Sequence, residues 1–157
     1  MTDSTSRLSA VCGLLNAAGA EYVVVGGFAV ALHGVIRATK DVDVLIEPSA
    51  KNAARVLSGL QGLKWGIAAE LDPVALASRP ITIIGDDPRV DVLTIAWSVR
   101  YADVVHTMLR TEIDGVEVPY LDLESLIRSK QTGRLQDQAD VEQLEIIARL
   151  RDGPSAM

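Results

Sequence analysis

The stretch from Val23 to Glu47 restricts the architecture of this chain more than any other. Val23, Val24 and Val25 form an apolar β-branched run, a composition that suits a buried strand. The run ends in Gly26-Gly27, passes through the apolar turn 28–32, and reaches His33 and Gly34. After Arg37 and Thr39, a second strand is predicted over 41–47, carrying Asp41 and Asp43. Side chains two apart on a strand share a face. The two aspartates therefore point one way, while Val42, Val44 and Ile46 point toward the core. Adjacent carboxylates repel, so such a face sits in water or holds a cation. Hard cations such as magnesium take carboxylate oxygens and keep positions open for water or phosphate. The alternative is an amphipathic edge strand with an acidic outer side. Gly26-Gly27 lies where strand becomes helix. Glycine admits close backbone approach, and a helix start offers free N–H groups to an anion. The alternative there is a tight turn with no ligand.

Around this stretch the pattern alternates between helix and strand. Leu8, Val11, Leu14, Leu15 and Ala18 recur at helical spacing, predicting a first helix over 6–18 that Gly19 stops, after a frayed 1–5. Strand 21–25 and a short helix 27–32 follow. Pro48 ends the acidic strand, and Ser49 caps a helix over 50–60. Asp72-Pro73 opens a short helix to Ala77. A hairpin pairs 81–84 with 89–96 across the turn Gly85-Asp86-Asp87-Pro88. A helix is expected over 98–109, with Tyr101, Val104, Val105 and Met108 inward. A second hairpin over 112–120 turns at Asp114-Gly115. Asp122 caps a helix to about Gln131, and a final helix covers 137–150, leaving 152–157 disordered. The expected fold class is α/β: a mixed, mainly antiparallel sheet with packed helices. A single domain over 1–157 is expected, with its core at about 6–150 and a C-terminal helical pair at about 122–150.

Composition narrows the setting. A chain of 157 residues, 48% hydrophobic and 23% charged, suits a soluble globular protein. No apolar run approaches the ~18 residues that span a bilayer, and the N-terminus lacks a secretory signal. Cys12 stands alone, so no internal disulfide framework exists and a cytoplasmic location is expected, without a membrane partner. Cys12 reads as a packed helix residue. His33 and His106 read as packed or surface residues rather than catalysts. A net charge of −6 argues against broad, non-specific nucleic-acid binding, which needs a basic footprint.

Asp91 lies in the return strand among Val90, Val92, Leu93 and Ile95. An ionised carboxylate there is costly without a partner, which is either a cation shared with Asp41 and Asp43 or a salt bridge to Arg89 or Arg37. Asp86 and Asp87 are weaker candidates, since turns collect Asp for backbone reasons.

The ordered set Gly26, Gly27, Gly34, Arg37, Thr39, Asp41 and Asp43 resembles the DNA polymerase β-like nucleotidyltransferase superfamily, whose pattern is a strand, Gly-Gly or Gly-Ser, a helix, then Asp-x-Asp. The resemblance covers about 20–150 and is closest to small bacterial stand-alone members, including nucleotidyltransferase toxins of toxin–antitoxin and abortive-infection systems. It implies that Asp91 is the third carboxylate, so that Asp41, Asp43 and Asp91 hold two Mg2+ ions, with Mn2+ as a substitute. It implies that Gly26, Gly27, Arg37, Thr39, Lys130 and Arg134 serve the nucleotide, Lys130 beside the triphosphate. For Arg37 the resemblance implies a contact to phosphate or a brace for the aspartates; alternatively it is a solvated loop charge. The segment from Leu126 to Asp140 alternatively is a charged helix junction, with Arg134 paired to Asp137 or Asp140.

The implied activity is transfer of a nucleoside monophosphate from an NTP such as ATP to a hydroxyl, with release of pyrophosphate. The short C-terminal helical part favours a macromolecular acceptor, the 3′ end of a tRNA or a protein side chain, as in a toxin with a cognate antitoxin. Two alternatives are an antibiotic adenylyltransferase acting on an aminoglycoside or lincosamide, and a catalytically idle nucleotide- or partner-binding module.

Overall fold

The computed structural model describes residues 2–153, with side chains from residue 5 onward. Helix α1 (Thr2–Ala17) leads into strand β1 (Tyr22–Val25), helix α2 (Gly26–Leu32) and strand β2 (Val42–Ile46). Helix α3 (Ala50–Leu60), a 3-10 turn at Ile67–Glu70 and helix α4 (Pro73–Ser78) come next. Strands β3 (Ile81–Ile84) and β4 (Val90–Leu93), helix α5 (Tyr101–Val104), strands β5 (Leu109–Ile113) and β6 (Val116–Tyr120), and helices α6 (Leu123–Ser129) and α7 (Leu135–Asp152) complete the chain. The expectation of disorder over 152–157 falls mostly outside the described residues.

The six strands form one sheet in the order β3-β4-β2-β1-β6-β5. Pairs β1–β2, β3–β4 and β5–β6 are antiparallel, and β1–β6 and β2–β4 are parallel. This is the expected mixed, mainly antiparallel α/β sheet. All of β1 is buried, and in β2 only Asp43 is not fully so. The central strands are thus covered on both faces except where Asp43 stands. Helix α1 packs against α3 and β6, and α2 lies on β1 and β2.

The caps form as the residues dictate. Ser49 Oγ accepts from Asn52 N, Asp72 accepts from Val74 N and Ala75 N with Pro73 in the first turn, and Asp122 accepts from Ser125 N. The helix expected over 98–109 is corrected to the single turn of α5, although Tyr101 and Val104 are buried. A two-residue turn joins Ala96 to Val99 through two backbone hydrogen bonds. At the other end, Leu109–Ile113 is taken by pairing with Tyr120–Val116. Tertiary strand pairing overrides the local helical period. The second hairpin therefore begins at Leu109 rather than 112. The return strand of the first hairpin stops at Leu93, opposite the start of β3.

Asn52 joins three segments. It is buried, its Oδ1 accepts from Glu21 N (2.8 Å), and its Nδ2 donates to Glu21 O (2.9 Å) and Glu47 O (2.8 Å). It ties α3 to the entry of β1 and the exit of β2. Replacing it strands three backbone groups, and each lost hydrogen bond costs ~0.5–1.5 kcal/mol. Asn52→Ala is expected to lower unfolding stability by ~2–3 kcal/mol, measured by urea titration.

Candidate active site

Strand β2 lies between β1 and β4, and this sets the site. Asp43 is opposite Val25 on one side and opposite Asp91 on the other. Residues in register on neighbouring strands share a face at ~4.8 Å strand spacing. Two carboxylates therefore stand side by side. Directly after Val25 the chain turns at Gly26, with φ +68°, a conformation L side chains rarely adopt. A Cβ on Gly26 would overlap the Asp43 carboxylate. At Gly27, a Cβ would press on Thr39 at 3.0 Å. The glycine pair is thus explained by the close approach of Asp43 and Thr39.

Over the carboxylates opens a cavity of about 240 Å³, whose lining includes Gly26, Asp43, Asp91, Lys130, Arg134 and Asp137. Burial, followed by the neighbouring Asp91 charge, pushes the Asp43 carboxyl up from 3.8 to about 7; Lys130 opposes this. Asp91 also receives two hydrogen bonds from Arg89, Nε to Oδ1 at 2.9 Å and Nη2 to Oδ2 at 3.1 Å. The same Nε lies 3.6 Å from Asp41 Oδ2. The salt bridge to Arg89, one of the partners weighed for Asp91, is present.

Asp41 departs from expectation. It precedes β2, whose first residue Val42 donates its N–H to Arg89 O. Its side chain is 45% exposed and turned to Arg89. Among the described residues, no group of three His, Cys, Asp or Glu side chains is gathered closely enough to hold a metal ion. The donor chemistry still fits a hard cation at the Asp43–Asp91 pair. Mg2+ is commonly bound by one or two carboxylates plus substrate phosphates and water, and a proton held up to about pH 7 marks charge that the protein leaves uncompensated. Asp41 joins that pair only if Arg89 moves.

Across the cavity, the α6–α7 junction carries a charge network. Lys130 Nζ, with its side chain 11% exposed, lies 3.1 Å from Asp140 and 3.4 Å from Asp137. Arg37 Nη1 donates to Asp140 at 2.6 Å, and Arg134 pairs with Asp137 at 2.8 Å. Thr132 Oγ1 also donates to Asp137. Burial would lift the Asp137 carboxyl, but Thr132, Lys130 and Arg134 outweigh it and hold it below the usual range. Of this network, Lys130, Arg134 and Asp137 line the cavity, so two cations and one carboxylate face the acidic pair.

The structure therefore brings Gly26, Asp43, Asp91, Lys130 and Arg134 to one cavity. Arg37 and Thr39 line other clefts, and Arg37 anchors α7 through Asp140. His33 is buried, its Nε2 2.7 Å from Leu121 O and its ring edge-on to Tyr120. Asp86 is a scaffold residue. Burial would raise its pKa, but N–H groups of Trp65, Asp87 and Ile67 hold it below the ordinary value. Sequence reasoning missed Ile81, Leu93 and Trp97 in the cavity wall. A tryptophan between a strand end and Ser98, in a chain with only 4% aromatic residues, was the available signal.

The six-stranded sheet with flanking helices is a nucleotidyltransferase-like fold. It matches the crystal structure of an antigenic nucleotidyltransferase-like protein from Paracoccidioides brasiliensis with a TM-score of 0.57 and 20% sequence identity, over 92% of this chain and 75% of that one. Residues 9–151 match a family model, and the chain belongs to that family, described as "Nucleotidyltransferase of unknown function (DUF6036)". No curated protein is significantly similar to the chain. No helix among the described residues is long and apolar enough to cross a membrane.

The raised Asp43 pKa has a consequence for stability. The folded state keeps a proton that the unfolded chain releases near 3.8. Folded stability from this group is therefore present below about pH 4, falls as pH rises toward 7, and is flat above. Asp43→Asn removes the loss. Its thermal midpoint is expected to exceed wild type by several degrees at pH 8, equivalent to ~1–3 kcal/mol, and to match it at pH 4, read by scanning calorimetry at both pH values.

Proposed function

We propose that this protein transfers a nucleoside monophosphate from an NTP to an acceptor hydroxyl. The observation that carries this reading is the in-register pair Asp43–Asp91, facing the cationic α6–α7 junction across one cavity. Asp43 and Asp91 would hold a divalent cation, magnesium or manganese. When bound, the cation neutralises the carboxylate pair and draws in the triphosphate. Lys130, fixed by Asp137 and Asp140, would sit against the phosphate oxygens and offset charge developing there. The acceptor oxygen forms its bond to the α-phosphorus, while the bond from that phosphorus to the bridging oxygen breaks. Pyrophosphate leaves with the electron pair. Asp43 and Asp91 have their oxygens engaged when the cation is held, so the hydroxyl proton passes to solvent water.

We place the acceptor hydroxyl on a macromolecule, an RNA 3′ end or a protein side chain. The cleft beyond Lys130 is lined by Gln131, Gly133, Gln138 and Val141. It has no carboxylate or aromatic side chain to grip a polycationic drug such as an aminoglycoside. With such an acceptor we propose a toxin role, countered by a cognate antitoxin. In that case expression arrests growth and Asp43→Ala relieves the arrest; drug resistance conferred on a sensitive strain would instead select the antibiotic-modifying alternative.

Incubation with labelled NTPs, Mg2+ and RNA or protein acceptors is expected to label one acceptor class. Asp43→Ala abolishes the label, and Lys130→Ala reduces its rate by about 100-fold. Labelling that survives Asp43→Ala, or that no acceptor receives, would overturn the reading. Independently of turnover, Mg2+ is expected to raise the wild-type thermal midpoint at pH 8 and leave that of Asp43→Asn unchanged.

A further inference from the structure

The cavity over Asp43 and Asp91 has two chemically different ends. One is charged, with Asp43, Asp91, Lys130 and Arg134. The other is a wall of Ile81, Leu93, Ala96 and Trp97. Trp97 stands in the turn that the Ala96 N–H to Val99 O (2.8 Å) and Val99 N–H to Ala96 O (3.0 Å) hydrogen bonds close. Its φ is +58°. Two-residue turns of this kind favour Gly, Asn or Asp at left-handed positions, and a bulky residue there is an outlier. Trp97 is nonetheless 58% exposed, and Ile81 beside the same cavity is 46% exposed. Neither is placed there by core packing. A strained residue at a cleft is a pointer to function, and an exposed indole beside a phosphate-sized charged pocket suits one chemical class, a heterocyclic base attached to phosphates.

We infer that Trp97, flanked by Ile81 and Ala96, is the stacking platform for the nucleobase of the bound triphosphate; this rests on the nucleotidyl-transfer reading above. The wall offers ring faces and aliphatic surface, with the indole N–H as its one side-chain hydrogen-bonding group. Stacking of that kind tolerates every base. The site therefore accepts all four NTPs, with purines favoured by their larger ring area, and holds phosphate chains that lack a base through its charged end alone.

The test is equilibrium binding in the presence of Mg2+, with ATP, GTP, CTP, UTP and inorganic tripolyphosphate as probes. The chain has two tryptophans, so Trp65→Phe leaves Trp97 as the sole indole reporter. Its fluorescence is expected to be quenched by each NTP and unaffected by tripolyphosphate. Trp97→Asn, which suits the left-handed turn and keeps the fold, is expected to weaken NTP binding by about 10-fold. It should leave tripolyphosphate affinity within about 2-fold, while Trp97→Phe stays close to wild type. A Trp97→Asn protein that binds NTPs as tightly as wild type, or quenching that tripolyphosphate reproduces, overturns the platform and leaves the transferase reading standing. A wild-type protein that binds neither NTP nor tripolyphosphate, with or without Mg2+, removes both.

Discussion

The repulsion between Asp43 and Asp91 is the constraint around which the structure is arranged. Parallel pairing of β2 with β4 puts the two carboxylates in register. Burial makes the repulsion strong, because partly dry surroundings screen charge poorly. The molecule answers from three sides. Asp43 keeps a proton up to about pH 7. Arg89 holds Asp91 through two hydrogen bonds. Lys130 supplies positive potential from the opposite wall. The space that makes this possible comes from Gly26, whose missing Cβ leaves room for the Asp43 carboxylate.

Arg89 gives the site an internal counter-ion. Its guanidinium spans Asp91 and Asp41 and is 44% exposed, so leaving requires no repacking of the core. A guanidinium and a hard cation compete for the same carboxylate oxygens, and the two cannot hold them together. The arrangement helps keep the acidic strands folded, since an uncompensated buried carboxylate is expensive.

The C-terminal helices are seated by the buried Leu126 and Leu144, and they meet the site through charge. Arg37, in the loop between α2 and β2, grips Asp140 of α7, which in turn holds Lys130 at the end of α6. One aspartate thereby couples the loop that follows the glycine bend to the lysine that faces Asp43. Asp137 does the same for Thr132 and Arg134. Side chains held on several partners lose little freedom when a ligand arrives, which is how a binding site is preorganised.

Much of this was legible in the sequence because it depends on short-range chemistry. The valine run, the glycine bend, the alternation through Asp43, and the Ser49, Asp72 and Asp122 caps all follow from residues within a few positions of one another. So did the mixed α/β class, and the choice of Asp91 as a buried carboxylate needing a partner. The failures share a cause. The segment 98–109 has helical spacing, yet most of it is drawn into a turn and into β5, because β6 offers a strand to pair with. Asp41 obeys the strand period but lies outside β2, where Arg89 reaches it. Arg37 is drawn to Asp140, 103 residues away. Trp97 shares a cavity with the carboxylates only because β3 and β4 pair beside β2. The sequence by itself determined which elements form and which side chains carry charge, since propensity, capping and periodicity are local. Only the tertiary structure decided which charges are neighbours and which side chains line the cavity, since strand order and register are settled by long-range packing.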